Sequence, residues 1–324
     1  MGTKFGGTEW RLRGQIAEQR GVRTKTGNDG RASDRKVDGM FRDFLVNLVP
    51  GERCNTEIGR GRSAIERVLS KELSIKGVHM IGSYARDTLI RGRKGVLVDM
   101  MLVLDKAQHG DWLRQPKGPS DCLGHIKERL RKSPEFRDAD VDGGRGSVIV
   151  RIGKFRFKIV PAFRTEHGYS ISDPTGRQDW ISTDPRVFNK VMGRLDRRFK
   201  GRVKEMIRIV KGWNDANGGM LRSFHIENMV YLHFKDRSSN IVSTLQEDVL
   251  NFYARLPTYL QNPTTEPVNG DRIDSYLGRD RTKAIGRAQR SVDRLVRAEE
   301  LRRRGRPDQA LEYYKKVFGT EFSQ

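Results

Sequence analysis

Eight of the nine residues from Val96 to Leu104 are apolar, and the ninth is Asp99. Such a run reads as a strand buried on both faces, which requires a sheet with cover on each side. A carboxylate on a buried strand is placed to hold a divalent metal. Upstream, the short apolar strand Val78-His79-Met80-Ile81 ends at Gly82-Ser83. A backbone N–H and a hydroxyl at that turn suit a phosphate.

Around this centre the periodicity gives a coarse map. Met40, Phe41, Phe44, Leu45 and Leu48 fall at helical spacing, and Pro50-Gly51 stops them. A second helix is expected from about Thr56 to Leu73, burying Ile65, Val68 and Leu69, and another from His125 to Leu130. Ser147 to Val150 and Phe155 to Pro161 read as strands joined by the Gly153-Lys154 turn. After Pro185 the pattern turns helical. Leu195, Phe199, Val203, Met206, Ile207, Val210 and Trp213 form one long stripe, broken at Asn217-Gly218-Gly219. Amphipathic helices follow around 221–235, 241–255, 280–303 and 307–317. Residues 1–36, rich in Gly, Arg, Lys and Thr, read as a mobile basic arm. The expectation is an α+β fold. Residues 37–190 make a mixed-sheet lobe with N-terminal helices, residues 191–324 a helical lobe, and a cleft lies between them.

Charge selects the partner class. The 324 residues carry a net charge of +22, far above what solubility needs, and the field of such an excess attracts nucleic acid or a highly phosphorylated ligand. Cys54 and Cys122 are the two cysteines. They make no CxxC, which argues against zinc and disulfides and fits a reducing cytosol. No run reaches the length of a membrane span, and the N-terminus has no apolar signal core. A cytoplasmic protein without a membrane partner is expected. Asp138, Asp140, Asp142 and Gly143 resemble the start of a calcium loop, but Ile149 stands where a bidentate Glu is required. A polar hairpin is the better reading.

Gly82-Ser83-Tyr84-Ala85-Arg86-Asp87-Thr88-Leu89-Ile90-Arg91-Gly92-Arg93, followed by Val98-Asp99-Met100-Met101-Leu102-Val103-Leu104, resembles the polymerase-beta superfamily of nucleotidyltransferases. The closer resemblance is to the bacterial cGAS/DncV-like nucleotidyltransferases (CD-NTases) and the animal oligoadenylate synthases. Val160-Pro161-Ala162-Phe163 is similar to the end of their third catalytic strand, and Trp180-Ile181-Ser182-Thr183-Asp184-Pro185 to the entry of their spine helix. Lys211 with Trp213, and Ser223-Phe224-His225-Ile226-Glu227, are similar to segments that contact the triphosphate. Val317-Phe318-Gly319 with Phe322 is similar to the family's C-terminal close. The likeness covers about residues 37–324 in order. It implies nucleotide-binding roles for Gly82, Ser83, Lys211 and Ser223.

The resemblance also implies three metal-binding carboxylates, and here it departs. The matching positions hold Leu97, Asp99 and Lys158. Leu97 offers no ligand, and Lys158 brings a positive charge to where two divalent cations belong. Asp105 lies too far along the strand to substitute, and Asp87 matches no ligand of the family. No metal site and no cofactor are expected, with Mg2+ required only if the chain is a working enzyme. The Lys158 ammonium either pairs with Asp99 and closes a disused site, or replaces a metal charge beside a nucleotide phosphate.

Three functions stand open. The first is a pseudoenzyme binding nucleic acid, RNA or DNA, through its phosphates. Arg194, Arg197, Arg198, Lys200, Arg202 and Lys204, with Arg287, Arg290, Arg294 and Arg297, would make the contacts. The second is an active synthase of cyclic or linear oligonucleotide signals. The third is a regulatory nucleotide binder or inactive partner of an active synthase. The resemblance would place any of them in bacterial antiviral defence, with a partner protein from such a system.

Overall fold

The computed structural model describes residues 28–91, 96–144, 146–174, 176, 178–239, 243–268 and 270–323. The chain divides into two compact units: Pro50–Val191, and Met192–Gln324 together with the chain up to Val49.

The first unit is built on a seven-stranded sheet: β1 (Ile75–Ile81), β2 (Val96–Leu104), β3 (Val141–Gly144), β4 (Ser147–Ile152), β5 (Phe155–Thr165), β6 (Gly168–Ser172) and β7 (Trp180–Thr183). The strand order is β1-β2-β5-β4-β3, with β6 on the far end of β5 and β7 beyond it. β2 and β5 run parallel and the other pairs antiparallel, so the sheet is mixed. A parallel pair needs a long crossover, and residues 105–154 supply it.

Two helices cover one face. α2 (Glu52–Leu69) buries Cys54, Ile58, Ile65, Val68 and Leu69, and α4 (Gly118–Lys132) buries Cys122, Ile126 and Leu130; α3 (Gly82–Ala85) is a single turn after β1. Their apolar sides pack on Val96, Val98, Met100, Leu102, Leu104, Phe155, Phe157 and Ile159. A Cβ on Gly61 would come within 2.4 Å of the Phe157 ring, so α2 can approach the sheet this closely only through a glycine. The opposite face carries a smaller cluster of Met101, Val103, Ala162 and Tyr169. Burial of β2 on both faces therefore holds from Met100 onward, whereas Leu97 is 36% exposed.

The hairpin read at Asp142-Gly143 is β3–β4. β3 was expected only as one arm of that hairpin, and β6 and β7 have no strand counterpart in the sequence map. They are four or five residues long and carry Gly, Ser and Asp, too little apolar alternation to show.

The second unit is helical, and two boundaries move. α1 (Asn28–Leu48) starts inside the expected basic arm, whose first 27 residues lie outside those described. Its buried Val37, Phe41, Phe44, Leu45 and Leu48 face the C-terminal helices and not the sheet: Phe41 meets Tyr314, Phe318 and Phe322 edge-on at 4.8–5.6 Å. α1 thus belongs to the helical unit, in correction of the lobe drawn at 37–190. The division near residue 191 falls inside α5 (Pro185–Arg198).

The single stripe from Leu195 to Trp213 is two helices, α5 and α6 (Arg202–Ala216). Lys200 (φ 52°) and Gly201 (φ 89°) break it, left-handed geometry that Gly adopts without strain. Asp196 then caps α6 by accepting from Lys204 N at 3.0 Å. α7 (Ser223–Phe234), α8 (Leu245–Gln261), α9 (Arg281–Arg303) and α10 (Pro307–Phe318) complete the unit. α8 opens on a reciprocal cap between Thr244 and Glu247.

Candidate functional site

The turn after β1 is shaped around Asp99. Ile81 pairs with Asp99 in the β1–β2 register, and Gly82 adopts φ +66°. A Cβ there would lie 2.4 Å from Asp99 Oδ2, so both backbone angle and space demand glycine. The following residues hold the turn. Thr88 N donates to the Ser83 carbonyl at 2.9 Å, and Arg86 donates to Asn189 Oδ1 at 3.1 Å while lying over the Phe188 ring. α3 is one turn long, so it brings Gly82 onto Asp99 without accumulating a helix dipole.

Across β2 and β5 the parallel register sets Leu97 beside Arg156 and Asp99 beside Lys158. Side chains alternate along a strand, so these four share the face away from α2 and α4. Lys158 Nζ stands 3.8 Å from Asp99 Oδ1, with side-chain exposures of 35% and 25%. Such a half-exposed pair contributes about 0–1 kcal/mol net. Arg156 has no ion-pair partner among the described residues, and its buried Nε has no acceptor.

This donor set does not fit the divalent metals that the fold family implies. Two of three positions are an alkyl group and an ammonium. At about 4 Å a divalent ion and an ammonium repel by roughly 8 kcal/mol, twice the unit-charge figure at a near-surface dielectric. Among the described residues no three His, Cys, Asp or Glu side chains gather as metal ligands. Asp105 is committed elsewhere: it pairs with Lys76 at 2.9 Å and accepts from Ala107 N at 3.0 Å. The Lys76 hydrogen bond, more than any other contact, holds its carboxyl below the usual range. Asp87 is exposed, with φ 53°.

Lys211 and Ser223 lie in the helical unit. Lys211, on α6, is 4% exposed and donates to Glu227 Oε1 of α7 at 2.6 Å; Glu227 is fully buried. The ammonium expected to meet a phosphate is thus buried against a carboxylate. Ser223 is exposed at the first residue of α7. The start of that helix is fixed by Tyr276, whose hydroxyl accepts from Arg222 N at 2.8 Å and meets His225 Nδ1 at 3.0 Å. His225 Nε2 lies 3.0 Å from Thr264 Oγ1. Burial drives the His225 pKa down to about 4, so the ring is neutral near pH 7.

The basic residues divide into those engaged in the fold and those facing solvent. Arg198 donates to the Lys235 and Arg237 carbonyls past the end of α7. Arg287 donates to the Asn217 carbonyl at the end of α6, and Arg294 to the Lys316 carbonyl near the end of α10. Arg281, also on α9, donates to Leu260 O at 2.7 Å near the end of α8. Cations there satisfy orphan carbonyls and oppose the helix dipole. Arg202 pairs with Glu205 and the buried Asp248, Lys204 with Asp196, and Arg297 with Glu300. Arg198, Arg202, Lys204, Arg287, Arg294 and Arg297 were expected at nucleic acid; the structure gives each an internal partner. Arg194, Arg197, Lys200 and Arg290 are exposed, and their side chains have no ion-pair or hydrogen-bond partner among the described residues.

Neither the role of Arg156 nor the pairing of Glu227 with Lys211 was expected from the sequence. The alternation Phe155-Arg156-Phe157-Lys158-Ile159 already placed Arg156 on the face of Lys158. Nothing local pairs Glu227 with a lysine sixteen residues earlier.

Residues 36–195, nearly half of the chain, match the family model of the Second Messenger Oligonucleotide or Dinucleotide Synthetase domain. A probable cyclic nucleotide synthase of Bacillus cereus is 27% identical over 237 residues, 68% of this chain and 70% of that protein. The Vibrio cholerae DncV cyclic AMP-GMP synthase, described as a prokaryotic cGAS homolog, superposes with a TM-score of 0.63 at 15% identity, covering 98% of this chain and 88% of its own. Escherichia coli MS115-1 CdnC, from its complex with HORMA-deltaN, gives a TM-score of 0.63 at 17% identity, covering 88% and 98%. The mixed sheet, the Gly82 turn seated on Asp99 and these likenesses agree: residues 36–195 form a Second Messenger Oligonucleotide or Dinucleotide Synthetase domain, and the chain as a whole is similar to the cGAS/DncV-like nucleotidyltransferases (CD-NTases).

Proposed function

We propose that this chain is a catalytically degenerate member of its family that binds polyanions, nucleic acid foremost and nucleotide besides. One observation carries the reading. Lys158 faces Asp99 at 3.8 Å beside an exposed Leu97, where nucleotidyl transfer needs three carboxylates and two metals. The solvent-facing cations Arg194, Arg197 and Lys200 on and just after α5, with Arg290 on α9, supply the phosphate contacts. The net charge of +22 supports the same partner class. Among the described residues no helix is long and apolar enough to cross a membrane. CdnC is seen with a HORMA protein, which supports a protein partner for this chain too.

The test incubates the full chain with labelled nucleotides and Mg2+ or Mn2+, with and without RNA or DNA. The expected outcome is retention of nucleic acid and no new nucleotide product. Product whose formation Asp99→Ala abolishes overturns the reading. The second reading, an active synthase of cyclic or linear oligonucleotides, is favoured by the relatives named as cyclic nucleotide synthases, and that product is its signature.

A further inference from the structure

Arg156 sits two residues before Lys158 on β5, and the strand alternation sends both cations to the same face of the sheet. Their surroundings are poor in negative charge. Lys158 has Asp99 Oδ1 at 3.8 Å, too long for a hydrogen bond. Arg156 has no carboxylate within ion-pair range among the described residues, and its buried Nε has no acceptor. The next cation on that face, Arg151 of β4, opposite Arg156, is held by Asp140 at 3.7 Å. The other Asp99 oxygen occupies the space that a Cβ on Gly82 would fill. Opposite Arg156 stands Leu97, which can neither accept a hydrogen bond nor neutralise a charge. A guanidinium and an ammonium about 7 Å apart along a strand therefore face outward with one half-negated charge between them.

We propose that Arg156 and Lys158 form a phosphate-binding pair in place of the divalent metals, taking a di- or triphosphate group. The Arg156 guanidinium presents a planar fork that grips two phosphate oxygens, and the Lys158 ammonium supplies a point charge to the neighbouring phosphate. No cation is needed to screen the ligand, because the protein itself carries the two charges. The group comes either from a nucleoside triphosphate or from the 5′ end of an oligonucleotide. This inference rests on the reading of the site as degenerate in metal ligands. Asp99 acquires an unusual sign in it: the carboxylate competes with the ligand for Lys158 instead of helping to bind it.

Calorimetric titration of the full chain in excess EDTA tests this, with ATP, tripolyphosphate and a 5′-triphosphorylated oligonucleotide as probes beside its 5′-hydroxyl counterpart. Tripolyphosphate is expected to bind in EDTA within about tenfold of the better triphosphate ester. Whichever of ATP and the 5′-triphosphate end binds tighter identifies the source. Arg156→Gln and Lys158→Gln should each weaken binding at least tenfold, Arg156→Lys should retain most of it, and Asp99→Asn should strengthen it several-fold. Melting curves of each variant establish folding. If Arg156→Gln does not fold, Lys158→Gln and Asp99→Asn decide the matter with their opposite signs. Binding that appears only with Mg2+ and is lost in Asp99→Asn overturns the pair, as does affinity in EDTA indifferent to Lys158→Gln. Turnover in Mg2+ is scored separately. Product together with EDTA-resistant binding sinks the degenerate reading and leaves the pair standing, while no product and no EDTA binding does the reverse.

Discussion

Two buried groups in the helical unit have consequences that follow from burial alone. His225 has a folded pKa of about 4 against about 6.5 for a free ring, so the folded state binds fewer protons. Its contribution is complete above pH 6.5 and is lost as the pH falls toward 4, on the order of 3 kcal/mol in all. The acid limb of a pH–stability curve should therefore flatten in His225→Gln, measured by urea unfolding from pH 7 to 4. Lys211 and Glu227 form a pair with almost no solvent. Lys211→Met strands a buried carboxylate and should cost about 3–5 kcal/mol, whereas Lys211→Met with Glu227→Gln should recover much of that loss. Residues of the two kinds were unequally legible in the sequence. Leu97, Asp99 and Lys158 were named together from the family resemblance, and the β2–β5 register with the two-residue strand period sets them on one face of the sheet. The pairing of Glu227 was not seen because helix packing, and no local spacing, brings it to Lys211.

Among the elements, the strands with unbroken apolar character and most of the helices with clear stripes were readable, and the structure keeps them. Short edge strands escaped or showed only as part of a hairpin, since β3 contains Asp142, Gly143 and Gly144 and owes its existence to pairing with β4. The break between α5 and α6 was also hidden, because Leu195 to Trp213 keeps helical phase across Gly201. The close approach of α2 to the sheet depends on a single missing methyl. Gly61→Ala places a Cβ 2.4 Å from the Phe157 ring, and overpacking of this kind costs about 1–3 kcal/mol. Chemical denaturation of Gly61→Ala should show that loss, and Phe157→Leu in the same chain should relieve part of it.

For the molecule as a whole, the +22 charge overstates the surface open to polyanions, because many arginines close helix ends or pair with acids. Arg194, Arg197 and Lys200 remain exposed. Replacing all three by Gln should lower the slope of log affinity against log salt for duplex nucleic acid by about 2–3, at roughly 0.9 per phosphate contact. Arg287→Gln, which uncaps α6, should lower the melting temperature and leave that slope unchanged. On the sheet face, the proposed exchange of metal ligands for cations can be measured directly. Manganese binding to the full chain, followed by electron paramagnetic resonance in the presence of ATP, tests it most directly. The wild-type protein should hold no Mn2+ beyond that carried by free ATP, and Leu97→Asp with Lys158→Asp should create a protein-bound signal. Tight Mn2+ binding by the wild type that disappears in Asp99→Asn would instead show a working metal site on this face.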